Sequence, residues 1–254
     1  CIIYRQYYLC FIIIFLVFFY ITTFKNKRLQ HKQNSALLSL TLLSTYKFWG
    51  TMKIVIAQHK GGVGKSTLAV HIAATLSERR FSKTLIVDCD SQGDSFRFFA
   101  SRFPEKPLEL VSGMDNVDAM WNPQRERFST KAAFSEYTHI VVDVDTRINN
   151  SLQIILELNP DVVFIPVDDQ QLSLIHGDHV VTMINDLIGK FIYLPKVIFV
   201  QMGSDWDLLP SNYKIPFSKE FDNCLSNSSY IWAANDELNF MADEFRGLIN
   251  YANK

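Results

Sequence analysis

The sequence predicts an α/β fold, a mostly parallel sheet with helices on both faces. Short apolar runs rich in β-branched residues recur along the chain, and longer segments with helical spacing separate them. Parallel strands need a long crossover between them, usually a helix, so this alternation is the signature of such a sheet. The composition agrees: 254 residues, 48% hydrophobic and 13% aromatic, are enough for a sizeable core and exclude a disordered or collagenous chain.

The strands are expected at Ile54 to Ala57, Thr84 to Val87, His139 to Val142, Val162 to Val167 and Lys196 to Val200. The first helix is expected from about Ser66 to Arg79, where Leu68, Ile72 and Leu76 recur every fourth residue. A second runs from about Leu172 to Ile188, and a third from Asp236 to Tyr251. The third carries Leu238, Met241, Phe245, Leu248 and Ile249 on one stripe, with Asp236 and Glu237 at the end where acids complement the helix dipole. It reads as a docked core helix, not a basic membrane-binding tail.

Charge divides the chain. Residues 1 to 51 hold six Lys and Arg and no acid, whereas residues 52 to 254 hold the other 19 bases and all 26 acids, a net charge of −7. A negative body is not the footprint of a protein that binds nucleic acid over its whole surface. Tyr7 to Phe24 is an uncharged run of 18 residues followed by Lys25, Lys27 and Arg28. The segment 1–51 is expected to be a hydrophobic and basic leader outside the native protein, because Met52 stands immediately before the first strand. Its alternative is a membrane anchor that keeps the following domain in the cytoplasm. Residues 52–254 suit a single domain. Cys1, Cys10, Cys89 and Cys224 have no paired spacing, so neither a zinc site nor a disulfide framework is suggested.

The most informative stretch, Gln58-His59-Lys60-Gly61-Gly62-Val63-Gly64-Lys65-Ser66-Thr67, lies between the first strand and the first helix. Glycines there let successive backbone N–H groups turn toward phosphate oxygens, and the helix N-terminus adds its positive dipole end. Lys65 supplies a point charge to the β- and γ-phosphates, and Ser66 a ligand for Mg²⁺. The fold is therefore expected to be that of a P-loop nucleotide triphosphatase, with Mg²⁺ beside the bound phosphates.

His59 stands where the common phosphate loop has its first glycine, and Lys60 opens the run Lys-Gly-Gly-Val-Gly-Lys-Ser. This resembles the deviant Walker A motif of the ParA/MinD family of ATPases, in the small type without an N-terminal DNA-binding domain. The resemblance implies that Lys60 reaches the nucleotide of a second subunit in a face-to-face dimer. Two nucleotide-bearing surfaces repel until cations bridge them, so such a lysine makes dimerisation depend on ATP. Asp88-Cys89-Asp90-Ser91-Gln92-Gly93 matches the family's Asp-x-Asp-x-Gln region, which implies that Asp90 orients the attacking water and Asp88 helps to hold the Mg²⁺ shell. Tyr137 to Asp143 looks like the Walker B strand, with Asp143 reaching Mg²⁺ through water. The chain then departs from the family at Val144-Asp145-Thr146-Arg147, where an extra carboxylate near the γ-phosphate calls for compensation by Arg147 or Mg²⁺.

By the same resemblance, the segment from Gln201 to Pro216 lies where the family binds the base, with Gln201 in place of the usual Asn. The nucleotide-binding residues implied are thus Lys60 to Thr67 and Gln201; Lys60, Lys65 and Asp90 would serve catalysis, and Ser66, Asp88 and Asp143 the metal. The implied function is a weak, partner-stimulated ATPase in the cytoplasm. It would be an ATP-dependent homodimer that partitions or positions plasmid or chromosomal DNA or another cargo, with a stimulating adaptor protein and nonspecific DNA as partners. The alternatives are a membrane-associated positioning or signalling ATPase and a metabolic ATP-dependent ligase of the same superfamily. Asp168 and Asp169 are expected to cap a helix, and His176 and His179 to be exposed side chains and not metal ligands.

Overall fold

The structure, a computed structural model, describes residues 51–79, 82–126, 134–202 and 211–254. The leader 1–51 lies almost wholly outside the described residues. In chain order the elements are β1 (Met52–Ile56), α1 (Lys65–Ser77), β2 (Thr84–Asp88), α2 (Asp94–Ala100), β3 (Glu109–Ser112), β4 (Val117–Trp121), β5 (His139–Asp143), α3 (Ile148–Leu158), β6 (Val162–Val167), α4 (Gln171–Asp186), β7 (Lys196–Gln201), β8 (Tyr213–Lys214), α5 (Phe221–Asn227), α6 (Ile231–Ala234) and α7 (Met241–Ala252).

The strands form one sheet in the order β3-β4-β2-β5-β1-β6-β7-β8, parallel except for the antiparallel β3–β4 pair. Alternate side chains of each strand leave opposite faces, so β1 supplies both cores. Ile54 and Ile56 join Phe164 of β6 and Leu68, Ile72, Phe96 and Phe245 of the helices on one face. Val55 and Ala57 join Ile154 and Ile155 of α3 and Val180 and Ile184 of α4 on the other. Helices thus cover both faces, as predicted, and the strands of the middle of the sheet are apolar throughout because neither face meets water.

α1 is the most enclosed helix: twelve of its thirteen residues are buried. One of them is a histidine. His71 Nδ1 donates to the Thr67 carbonyl at 2.6 Å, and Nε2 accepts the Ile231 backbone N–H at 2.9 Å. The ring stacks on Phe245 with centroids 4.9 Å apart and meets Trp232 edge-on at 5.2 Å. This one side chain therefore ties the helix that follows the phosphate loop to α6 and α7. Burial pushes its pKa down to about 4.

Three expectations need adjustment. The last helix begins at Met241 and not at Asp236, because Asn235 accepts the Leu238 N–H and closes a separate 3-10 turn over Asp236–Leu238. Its apolar stripe is nonetheless docked: Met241, Phe245, Leu248 and Ile249 are buried. β4 was not expected, since Asp118 interrupts its apolar run; that carboxylate is buried, accepting from the Tyr137 hydroxyl at 2.8 Å and pairing with Lys83 at 3.0 Å. The short β3, β8, α2, α5 and α6, together with α3, were also not expected.

Candidate functional site

Strand register sets the site. Ile56 pairs with Asp143, and Asp88 pairs with Asp143 from the other side, so three adjacent strands end at one level. The phosphate loop leaves β1 at that level, at the carboxyl edge of the sheet where ligands bind in open α/β folds. Gln58, fully buried, fixes its entry: the side-chain amide donates to the carbonyls of Pro166 and Ser173, and its oxygen accepts the His59 N–H. Gly62 and Gly64 then adopt φ of 77° and 85°, a backbone that side-chain-bearing residues avoid. Gly64 is also the N-cap of α1, so the curled loop runs directly into the positive end of the helix.

Lys65 is buried to 8% exposure, with Nζ 3.3 Å from the Lys60 carbonyl. Burial holds its pKa below the ordinary lysine range, opposed by the charges of Asp143, Asp90 and Asp145. The Asp143 carboxylate is buried with no hydrogen-bond donor on either oxygen. Burial raises its pKa, while Ser66, Lys65 and Ser95 favour its charged form. A buried, donor-free carboxylate beside a serine hydroxyl is a donor set that fits a hard, oxygen-loving cation such as Mg²⁺.

The loop after β2 is organised by Asp88. Its Oδ1 accepts the Asp90 N–H and its Oδ2 the Phe96 N–H, both at 2.9 Å, and burial together with Asp143 raises its pKa. Both oxygens of Asp88, expected in the metal shell, thus hold main-chain groups. Asp90 itself lines a cleft of about 590 Å³ together with Gly61 to Thr67, Thr146 and Asp168.

Lys60 pairs with Asp168 of its own chain, an ion pair that is largely buried. Asp168 also accepts the Gln170 N–H, so it turns the chain ahead of α4 and holds the lysine, but the N-cap of α4 is Gln170, without a side-chain cap bond, and not Asp168 or Asp169 as expected. Asp145 is engaged locally, accepting the Arg147 N–H at 3.1 Å and the Asn150 amide at 2.6 Å at the start of α3. Gln201 does not line the cleft: it is buried at the end of β7, where its Oε1 accepts from the Ser211 hydroxyl at 3.4 Å. Met202, Phe217, Ser218 and Phe221 form that wall instead. Residues 203–210 of the expected base segment lie outside the described residues. His176 and His179 meet edge-on at 6.0 Å, and among the described residues no three or more His, Cys, Asp and Glu side chains are clustered to hold a metal ion.

A glycine-rich loop entering a helix, a buried lysine over it and acidic strand ends beside it define a P-loop nucleotide-binding protein. The family model described as the CobQ/CobB/MinD/ParA nucleotide binding domain matches residues 54–200, more than half of the chain, and the chain belongs to this family of nucleotide-binding ATPases. Among solved structures, it is similar to a ParA family ATPase from Chlorobium tepidum (TM-score 0.63, 16% identity, 78% of this chain and 99% of that one). It is similar to a plasmid partition protein from Borrelia burgdorferi (0.55, 18%, 79% and 99%). It also resembles cobyrinic acid a,c-diamide synthase from Mycobacterium smegmatis with an ATP analogue and magnesium (0.59, 15%, 79% and 95%). No curated protein matches the sequence. At these identities the structures share the fold.

Proposed function

We propose that the chain is a ParA-like ATPase, an ATP-switched dimer that partitions or positions a cargo. The observation that carries this reading is that one loop holds two lysines in different settings. Lys65 is buried over the glycine curl, and Lys60 stands at the cleft in an ion pair that another anion can replace. A metabolic nucleotide site needs only the first. The second supports a cation lent to a neighbouring nucleotide, acting in trans.

In this reading the loop N–H groups and Lys65 bind the phosphates of ATP, and Phe217 and Phe221 flank the base. Asp143 and Ser66 would hold Mg²⁺, which neutralises phosphate charge when bound; Asp88 shapes the adjoining loop. Asp90 accepts a hydrogen bond from the attacking water and so orients it toward the γ-phosphorus. Positioning of this kind does most of the work in phosphoryl transfer. Lys60 exchanges Asp168 for the phosphates of the partner's ATP, closing the dimer, and hydrolysis removes the anion that holds it there. A stimulating adaptor protein and ATP-dependent, nonspecific DNA binding belong to the same reading. The −7 charge of residues 52–254 confines DNA to a local basic patch, which filter binding over a salt series with and without ATP tests.

The test is the mass in solution of the full chain with ATP and Mg²⁺, beside ADP and a Lys60→Ala variant. A dimer formed only with ATP and lost in the variant is the expected result. A mass independent of nucleotide refutes the switch.

A further inference from the structure

The water-orienting role given to Asp90 requires its carboxylate to be held still, yet Asp90 lies in a loop between β2 and α2. Three bonds fix it. Its N–H goes to Asp88 Oδ1 at 2.9 Å, its Oδ1 accepts the Gln92 N–H at 3.0 Å, and its carbonyl accepts the indole N–H of Trp121 at 2.9 Å. The first is made to Asp88, the last residue of β2, and holds the N–H side of Asp90; the second comes from the same loop and moves with it. The third comes from β4, a strand of the sheet.

Trp121 is itself well anchored. Its residue pairs with Asp88 of β2 on one side and with Glu109 of β3 on the other. Its carbonyl accepts the Leu108 N–H at 2.7 Å, and the next residue, Asn122, donates its N–H to the Asp88 carbonyl at 2.7 Å. The indole nitrogen lies 3.5 Å from where a Cβ on Gly93 would stand, and Gly93 has φ of 69°, so the loop closes tightly beneath the ring. Without the indole donor, the Asp90 carbonyl has no sheet-borne partner, and Asp90 is tied to the sheet only through its N–H on Asp88. Loosening on the carbonyl side shifts the carboxylate and leaves the phosphate loop untouched.

We propose that Trp121 is a positioning residue for hydrolysis, clamping Asp90 to the sheet through its indole N–H; this rests on the reading of Asp90 as the water-orienting group. Binding and chemistry then separate: ATP is held by residues 61–67, whereas the hydrolytic step depends on Asp90.

The experiment compares ATP affinity and turnover of the full chain as wild type, Trp121→Phe, Asp90→Ala, and a chain carrying benzothienylalanine at position 121. That residue keeps the bicyclic shape and lacks only the N–H. The expected result is a turnover reduced about three- to tenfold in both position-121 variants, the range that loss of one such hydrogen bond produces, with ATP affinity unchanged. The benzothienylalanine chain decides the matter should Trp121→Phe fail to fold. Hydrolysis abolished by Asp90→Ala but undiminished with benzothienylalanine overturns the clamp alone. Hydrolysis absent in wild type, or persisting in Asp90→Ala, overturns the reading of Asp90 and the clamp with it. An equal loss of affinity and turnover assigns Trp121 a general structural role and overturns the proposal.

Discussion

Replacing Asp168 with Asn tests the lysine exchange most directly. The variant keeps the shape and a hydrogen-bond acceptor but removes the charge that holds Lys60 in its own subunit. The two side chains are 13% and 16% exposed, so the pair is better shielded than a surface ion pair and is not fully desolvated. A contribution of about 1 kcal/mol is reasonable for such a pair. A face-to-face dimer breaks two of them, one per subunit. Removing both costs therefore stabilises the ATP-bound dimer by about 2 kcal/mol, roughly a 30-fold tighter dissociation constant. The assay is sedimentation equilibrium of wild type and Asp168→Asn at saturating ATP and Mg²⁺. Saturation matters because Asp168 also lines the cleft, and losing its charge raises nucleotide affinity on its own account. Adding Lys60→Ala to the variant is expected to cancel the gain. Dimerisation that is unchanged or weaker in Asp168→Asn refutes the reasoning, because Lys60 would then gain nothing from release.

Further outcomes follow from the geometry. Lys65→Ala is expected to lower ATP affinity at least tenfold by calorimetry, since it leaves a triphosphate over a site with acidic neighbours and no buried cation. Phe217→Ala should weaken ATP binding several-fold while leaving binding of inorganic triphosphate unchanged, because Phe217 lines the cleft and offers the base an aromatic ring but the phosphates no donor. Gly64→Ala is expected to destabilise the chain by about 1 kcal/mol or more in denaturant unfolding, as its φ is 85° and a Cβ would meet Met202 at 3.4 Å. His71 and His139 both have pKa values lowered to about 4 by burial, against 6.5 in an unfolded chain. The unfolded state takes the proton first, so their contribution is intact above pH 6.5 and is lost as pH falls toward 4, about 3 kcal/mol each. Unfolding measured across that range should show a shallower slope in a His71→Gln variant than in wild type.

Much of the site was legible because its chemistry is local in sequence. The run from Lys60 to Thr67 needs only a strand before it and a helix after it, and the apolar runs on either side supply both. Asp90 and Asp143 were legible for the same reason, Asp143 ending a strand and Asp90 following one at the carboxyl edge of the sheet, beside the glycine-rich loop. The missed residues act across the chain. Asp168 meets Lys60, 108 positions away, and Gln58 reaches Pro166 and Ser173. Trp121 closes on Asp90 through a strand that Asp118 disguised. No spacing rule announces such pairs, because the sheet order that joins them is a property of the whole fold. Gln201 differs for a related reason: its position along the chain matched the base segment, but it ends β7 with its side chain buried, and its neighbour Met202 lines the cleft.

His71 has a consequence for anyone who reshapes this protein. It stands six positions beyond Lys65 on the same helix, and its outer nitrogen is satisfied only by the backbone of Ile231. The segment beginning at Ile231 is therefore part of the foundation of the phosphate cradle and not a detachable trailer. Cutting the chain before that residue, or forcing a fused partner against it, strips a buried acceptor of its donor and removes the aromatic walls around it. A shortened version is then expected to fail first at holding nucleotide, although every residue proposed to bind the nucleotide is still present.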